Sequence, residues 1–401
     1  MDNDTAMIGA RVRAARVRQG MSLGGLAAAT GLSKAFLSRA ERGERGLDRR
    51  STVQKIAEAL HVPMTDLTGQ PYPPRTRDDV RARAAVADLR DILHGLQLGD
   101  PVDALVPAAA ELERTTWRVR QLAIASDFGG YGPLLPDLAL GLHALAGTDP
   151  AARPDVLRLL MSAAHASLWL AQSLGAADLA SLAAARAAEA ADLLEDPAAE
   201  GYAQWLTWLA SLRYGRLTQA RAVRGAAVTA DRLQPHAADP GPAAEMYGTM
   251  HLVQAYSTML DGRPDRAAQH LDEAEDTASR TGDTTTWDVW FGPTEVAAWR
   301  VSVAAEAGAD DDALAAAIRV DPRRMASPSR RASHYLDVAR AAVGQRRTRT
   351  RAAELLMQAE RLAPQYVHAH PSAREAISEL LVTAGGRDLR GLARRVGVIP
   401  A

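Results

Sequence analysis

The stretch from Gly31 to Gly43 (Gly-Leu-Ser-Lys-Ala-Phe-Leu-Ser-Arg-Ala-Glu-Arg-Gly) constrains this chain most, because it carries start and stop signals for a short helix. Gly31 follows an alanine-rich helical run and is able to adopt the positive φ that ends a helix. Ser33 stands where its hydroxyl can satisfy free amides of the next helix. Gly43 then stops that helix. The pattern predicts two helices joined by a tight turn.

The second of these helices has a polar face that suits nucleic acid. Leu37 and Ala40 are three residues apart and are expected to face inward. The opposite, outward arc carries Lys34, Ala35, Ser38 and Arg39. Lysine, serine and arginine on a short capped helix are what a major groove requires for contacts with base edges and phosphates.

Other short helices are predicted on both sides of the turn, since apolar residues recur there at helical spacing. They run from Ile8 to Gln19, from Leu23 to Thr30 with Ser22 as cap, from Thr52 to Leu60 with Ser51 as cap, and from Pro63 to about Gly69. Proline is favoured in the first turn of a helix, which supports the last of these starts. The first 69 residues therefore hold five short helices.

This arrangement resembles the DNA-binding domain of the xenobiotic-response-element (XRE) family, a lambda-repressor-like and Cro-like helix-turn-helix fold. The matching residues are Leu26-Ala27, Gly31-Leu32-Ser33, Leu37-Ser38, Glu41, Gly43, Ile56-Ala57, Leu60 and Val62. They cover the first sixth of the chain and are specific as a set. Leu23 departs from the pattern, because phage members often place a phosphate-contacting glutamine there.

The resemblance implies a role for each exposed residue of this segment. Base edges would be contacted by Lys34, Ala35, Ser38 and Arg39. Phosphates would be contacted by Ser33, Arg42, Arg45, Arg49 and Arg50. Residues 1–69 carry eleven Lys/Arg and seven Asp/Glu, a charge of +4, while the whole chain is −1, so the remainder is −5. A basic head on a mildly acidic body agrees with DNA binding, although +4 alone is unremarkable.

Composition predicts an almost entirely α-helical protein of more than one domain. The chain has 401 residues, is 47% hydrophobic but only 4% aromatic, and is rich in alanine, which favours helix. Lysine occurs only at positions 34 and 55 while arginine is plentiful, a usage typical of GC-rich genomes such as those of actinobacteria. No cysteine is present, which excludes disulfides, thiol nucleophiles and cysteine metal sites. We expect no secretory leader, no membrane helix and a cytoplasmic location.

The rest of the chain is predicted to form helical hairpins. Residues 70–77 are proline-rich and predict a stiff linker, with a second domain over residues 78–401. Small residues repeat at helical spacing after glycine turns, as in Ala267-Leu271-Ala274, Ala313-Ala317, Ala220-Ala227 and Ala352-Leu356-Ala359-Pro364. This resembles degenerate tetratricopeptide-like (TPR-like) hairpins, although the glycine spacings of 47 and 46 exceed the standard unit of about 34 residues. A non-repetitive α bundle is the alternative.

Such an α-solenoid would leave a groove for a peptide, a protein or a small molecule. Tentative ligand-binding residues are Trp205, Trp208, Tyr247, Trp287, Asp288, Trp290 and Phe291. Trp205 and Trp208 are three residues apart and are expected to share a helical face, as are Trp287 and Trp290. The favoured alternative for each tryptophan is a core residue that fills gaps between alanine-rich hairpins. The best pocket candidate is Thr284–Pro293, where aromatic, hydroxyl and carboxylate groups occur at a helix break.

No catalytic or metal-binding pattern is found. His368 and His370 match no sequence pattern of acidic or histidine metal ligands. Asp310-Asp311-Asp312 lacks the spacing of a calcium loop, and the basic run Arg346–Arg351 fits a solvated turn better than a DNA contact. We therefore expect no enzyme, no cofactor and no metal.

The resemblance to the XRE family implies a transcriptional regulator that binds double-stranded operator DNA. The partners expected are an inverted-repeat operator, a second copy of the chain in a homodimer, and a peptide or small-molecule effector. A DNA-tethered adaptor for a protein partner and a regulator without ligand are the alternatives.

Overall fold

The computed structural model describes residues 7–98, 100, 107–148, 153–325 and 327–399. Met1–Asp4, from which no secretory leader is expected, lies outside them. Within the described ranges all regular secondary structure is helical, apart from one isolated bridge between Thr284 and Phe291. The predicted all-α class is confirmed.

Five short helices form the amino-terminal part. They are α1 (Ile8–Arg18), α2 (Leu23–Thr30), α3 (Lys34–Glu41), α4 (Arg50–Ala59) and α5 (Met64–Thr68). Their inward residues form one hydrophobic cluster that includes Val12, Leu26, Leu37, Ile56 and Leu60, all at most 2% exposed. Burial of apolar side chains at this spacing is what makes helices of only two or three turns stable.

Helix α4 begins differently from the prediction. Arg49, not Ser51, holds the N-cap position, and its side chain makes no capping hydrogen bond. The Glu306 carboxylate instead accepts a hydrogen bond from the Ser51 backbone amide at 2.7 Å. The helix starts two residues earlier than expected, and the Ser51 amide in its first turn is satisfied by a carboxylate 255 positions away.

The remaining helices follow in sequence to the carboxyl end. They are α6 (Arg77–Gly95), α7 (Ala109–Ala123), α8 (Phe128–Tyr131), α9 (Leu135–Thr148), α10 (Arg153–Ser173), α11 (Ala177–Leu194), α12 (Pro197–Ser211), α13 (Arg216–Leu233), α14 (Pro242–Leu260), α15 (Pro264–Thr281), α16 (Pro293–Ala307), α17 (Asp310–Ala317), α18 (Pro328–Val343), α19 (Arg349–Leu362), α20 (Pro364–Ala369), α21 (Pro371–Thr383) and α22 (Arg387–Val396). Successive helices pack as hairpins, with α10 on α11, α12 on α13, α14 on α15 and α18 on α19. The region is repeat-like, and its assignment to the tetratricopeptide class stays a prediction.

Small residues line the hairpin contacts, mostly where the sequence predicts them. Ala267, Ala274, Ala352 and Ala359 are fully buried, with larger Leu271 and Leu356 beside them. The small residues predicted to be buried on α13 are not the ones that the structure buries. Ala220 is exposed there, and the buried stripe consists instead of Ala222, Ala226 and Ala230. The alanine-rich sequence of α13 offers several small-residue stripes, so local spacing does not decide which one is buried.

The chain divides into two compact units. One comprises residues 1–72 and 300–401, and the other comprises residues 73–299. The first unit therefore joins the helix-turn-helix segment to the last hundred residues. Its contacts include the start of the predicted linker, because the Gln70 amide donates to the Ala369 carbonyl at 3.1 Å and the Arg374 guanidinium lies 4.0 Å from the Tyr72 ring centroid. The predicted boundaries at residues 69 and 77 stay a prediction.

None of the helices in the described part of the chain combines the length and the apolar character needed to cross a membrane.

Candidate functional site

The turn and the second helix of the motif have the local structure that their sequence predicts. Gly31 has a φ of +70°, and its amide bonds to the Ala27 carbonyl to close α2. The Ser33 hydroxyl accepts a hydrogen bond from the Phe36 amide at 3.1 Å, so it caps α3. Both devices act within four residues, which is why the sequence alone specifies them.

Helix α3 presents a polar face to solvent. Leu37 and Ala40 are buried in the hydrophobic cluster, with exposures of 0% and 1%. Lys34, Ala35 and Arg39 are exposed, as are Gly31 and Ser33 at the start of the helix. The face that the sequence assigns to base edges is therefore accessible.

The end of α3 carries a local network of its own. The Arg42 guanidinium donates to the Ser38 hydroxyl, and it forms a second pair with the Glu44 carboxylate at 2.6 Å. Hydrogen bonding from Arg42 lowers the pKa of Glu44, so the pair is ionised at neutral pH. Contact of Ser38 or Arg42 with DNA would require these side chains to exchange partners.

Two more of the arginines predicted to contact phosphates are paired with carboxylates of the carboxyl-terminal helices. Arg49 Nη2 lies 3.1 Å from Asp310 Oδ1, and Arg45 Nη1 lies 3.4 Å from Glu379 Oε1. Arg50 lies close enough to Glu306 to lower the pKa of that carboxyl. Arg45, Arg49 and Arg50 therefore face acidic residues of α21, α17 and α16 in this structure.

The backbone of the same loop is held by buried carboxylates. Glu379 accepts from the Gly46 amide at 2.8 Å, and Glu375 accepts from the Leu47 amide at 3.1 Å. Glu375 also accepts from the Ile8 amide at the start of α1, at 2.8 Å. Burial raises the pKa of both Glu375 and Glu379. These bonds fasten the α3–α4 loop to α21.

A buried arginine completes this attachment. Arg340 on α18 pairs with Glu306 at 2.9 Å, with Asp337 at 3.3 Å and with Asp48 of the α3–α4 loop at 3.4 Å. Burial alone would raise the pKa of Glu306, but Arg340 and Arg50 outweigh it and hold that pKa below its usual value. Glu306 is therefore ionised while it accepts from the Ser51 amide.

Sequence reasoning missed the acidic residues that hold the loop. Glu375 and Glu379 are four residues apart and lie on a helix whose other buried residues are mostly apolar. Two carboxylates on one otherwise buried face are the signal that could have found them, because a buried carboxylate requires a partner. The identity of that partner is not encoded locally.

The tentative ligand-binding residues fall into separate clusters. Trp205 and Trp287 stack on Tyr202 with ring centroids 6.2 and 5.5 Å apart, and His165 lies edge-on to Trp205 at 5.2 Å. Trp208 packs instead against Tyr256 and Trp299. Trp205 and Trp208 are thus three residues apart on α12 but belong to different clusters.

Tyr247 and Phe291 lie elsewhere. The Tyr247 hydroxyl donates to Glu273 at 2.9 Å, and its ring lies 4.6 Å from His251. Burial and the bond to Glu273 raise the pKa of Tyr247 to about 12. Phe291 is a core residue at 1% exposure, packed against Gly248.

The segment around Trp287 and Trp290 is not the helix that their spacing suggests. Thr284 and Phe291 bond to each other through both backbone groups, which closes a loop between them. Trp287 and Asp288 adopt positive φ of 55° and 60° within it, so the predicted shared helical face of Trp287 and Trp290 is wrong. Left-handed backbone at two consecutive non-glycine residues costs of order 1–3 kcal/mol each.

Side-chain contacts hold this loop in place. Asp288 accepts from Arg120 at 2.6 Å and from the Ser162 hydroxyl at 3.3 Å. His165 Nδ1 and the Tyr202 hydroxyl form a hydrogen bond of 2.9 Å. Burial lowers the pKa of His165 to about 4, so this imidazole is neutral at physiological pH. Aromatic rings, a carboxylate and a guanidinium therefore converge at one place in the second unit.

Comparison with known proteins identifies the amino-terminal segment. Residues 8–68 match the family model of a helix-turn-helix domain. Over 59 residues the chain is 39% identical to the HTH-type transcriptional repressor RghR of Bacillus subtilis (strain 168), an alignment that covers 15% of this chain. The chain spans 44% of the length of that relative. No solved structure gives a significant match. The predicted helix-turn-helix domain is confirmed.

Proposed function

We propose that this protein is a sequence-specific DNA-binding transcriptional regulator, with α3 as the helix that enters the major groove. The observation that carries the proposal is the exposed polar face of α3 on a domain that matches a helix-turn-helix model. Lys34, Ala35, Ser38 and Arg39 contact base edges in this proposal. Ser33, Arg42, Arg45, Arg49 and Arg50 contact phosphates.

The two groups of residues are distinguished by how a substitution affects different DNA sequences. A bidentate arginine–guanine contact is worth about 1–3 kcal/mol of discrimination, so Arg39→Ala is expected to lower preference for the operator about 5- to 150-fold. Arg49→Ala is expected to weaken binding to all duplexes about equally. Arg118→Ala, which removes an exposed arginine from α7, serves as the control. Unchanged operator binding by both test variants in a gel-shift titration would refute the assignment.

The operator itself can be obtained by selection from random duplex DNA with the full chain. We propose that the protein binds as a homodimer, since a single helix-turn-helix contacts little DNA and dimers read half-sites about 34 Å apart. An enriched inverted repeat would support this proposal. Enrichment of a single half-site would contradict the dimer. No enriched sequence together with salt-insensitive DNA affinity would favour the adaptor alternative.

We further propose that the second unit senses an effector at the Trp287–Asp288 loop. The support is physical. Two consecutive residues, Trp287 and Asp288, have unfavourable backbone conformations. Trp287 stacks on Tyr202, and Asp288 is held by Arg120 and Ser162. Strain of this kind is concentrated at binding sites and switches. Fractionated cell extracts can be screened by thermal shift of the full chain, with Trp287→Ala as the control. If no fraction changes the melting temperature or operator affinity, a regulator without ligand is favoured.

A further inference from the structure

Two arginines of the α3–α4 loop lie against the carboxyl ends of helices in the same compact unit. A Cβ on Gly308, just after α16, would come within 2.1 Å of Arg49 Nη1. A Cβ on Gly344, just after α18, would come within 3.1 Å of Arg45 Nη1. Both guanidinium groups therefore pack directly on glycine backbone. The carboxyl end of a helix carries partial negative charge, which attracts a cation.

Each of these arginines also has a carboxylate partner. Asp310, in the first turn of α17, pairs with Arg49 at 3.1 Å. Glu379 on α21 pairs with Arg45 at 3.4 Å. The carboxylates and the helix ends thus give both arginines negative charge and hydrogen-bond acceptors, as DNA phosphates would.

The arginine pairs differ from the backbone attachment in their access to water. The side chains of Arg49 and Asp310 are 26% and 25% exposed, and that of Arg45 is 27% exposed. Glu375 and Glu306, which accept from backbone amides, are 3% and 5% exposed. Ion pairs that water reaches contribute little to stability. The Arg49 pair is therefore the easier one to exchange for an external anion.

We propose that Asp310 and Glu379 compete with DNA phosphates for Arg49 and Arg45. The acidic carboxyl-terminal helices thereby limit the affinity of the helix-turn-helix domain for all duplexes, without touching the base-reading face of α3. This inference rests on the proposed function, because it concerns regulation of the same DNA-binding surface.

The test replaces the Asp310 carboxylate, in the full chain, with an amide of the same shape that carries no charge. Asp310→Asn should tighten binding to both operator and random duplex by roughly 1.5- to 5-fold, the range set by a partly exposed pair. The slope of log affinity against log salt should become steeper by up to about 0.9, the value for one phosphate contact, because Arg49 is no longer shared between Asp310 and the phosphate. Asp311→Asn is the matched control, since Asp311 is the next residue and lies 3.8 Å from Arg347. Circular dichroism melting confirms that each variant folds.

The same substitution in an Arg49→Gln variant identifies the residue through which Asp310 acts. With Arg49→Gln already present, Asp310→Asn should lose most of its effect on DNA affinity, because Arg49 is the arginine that pairs with Asp310 and only the weaker interaction with Arg45 remains. Equal effects of Asp310→Asn and Asp311→Asn would overturn the inference, as would weaker binding by Asp310→Asn. In either case wild-type binding would still support the proposed function. Wild-type protein without salt-dependent duplex affinity would refute the proposed function, and the inference with it.

Discussion

Replacing Arg340 with methionine tests how firmly the helix-turn-helix domain is held to the carboxyl-terminal helices. The arginine side chain is 7% exposed and pairs with three carboxylates, of which Glu306 is the most buried at 5%. Removing one partner of a buried pair costs about 3–5 kcal/mol, because the remaining charge stays buried. Asp48 and Asp337 are 17% and 14% exposed, so water solvates them better and Glu306 dominates the loss.

Hydrogen exchange of the Gly46, Leu47 and Ser51 amides measures this effect locally, which matters because a chain of two units need not unfold in one step. These three amides bond to Glu379, Glu375 and Glu306. At 1.4 kcal/mol per tenfold change, Arg340→Met should lower their protection by roughly a hundredfold to a few thousandfold. Adding Glu306→Gln should recover part of the protection, since it removes the stranded charge.

The pH dependence of the effect has a definite sign. In the wild type the pKa of Glu306 lies below its usual 4.5, so its contribution to stability is present above that pH and is lost as pH falls. Without Arg340, burial is opposed only by Arg50 and the Ser51 amide, so the pKa of Glu306 rises relative to the wild type and protonation relieves the variant at a higher pH. The difference between variant and wild type should therefore be large at pH 7 and shrink toward pH 4.5. A less than tenfold change in protection, or the same change at both pH values, would refute the reasoning.

Two further predictions concern the second unit. Gly248→Ala places a Cβ 2.0 Å from Phe291 Cζ, so it should destabilise the second unit by about 1–3 kcal/mol and lower its melting temperature. Gly241→Ala is the control and should have a smaller effect, because no atom lies within 4 Å of its added Cβ. His165 has a pKa of about 4, against the usual 6.5 of histidine, so folding stability should fall as pH drops from 6.5 to 4. His165→Gln should weaken this dependence, and an unchanged pH profile of urea unfolding would contradict the role of His165 in it.

The parts of the fold that sequence predicts are those fixed by near neighbours. Gly31 and Ser33 act on amides and carbonyls within four residues, so the turn and the start of α3 follow from the sequence. The inward positions of Leu37 and Ala40 follow from helical spacing. Five short helices in the first 69 residues are therefore predictable, with boundaries accurate to two residues.

The parts that sequence does not predict depend on distant residues. The cap of α4 comes from Glu306, and Glu375 joins Ile8 to Leu47 across more than 300 positions. Trp287 takes a positive φ because Thr284 and Phe291 close the loop around it, which residue spacing cannot reveal. The same limitation separates Trp205 from Trp208, since the neighbours of each ring come from other helices.

The discontinuous first unit has a consequence during protein synthesis. Gly46 and Leu47 leave the ribosome more than 300 residues before Glu375 and Glu379, their hydrogen-bond partners. At about 5–20 residues per second, this interval lasts roughly 15–65 s. Throughout it, the nascent helix-turn-helix segment exists with Arg45 still lacking Glu379. Arg49 lacks Asp310 for most of it, because Asp310 follows Arg49 by 261 residues. A message that ends before residue 300 would release a chain with a complete helix-turn-helix sequence and none of the acidic residues that hold its loop.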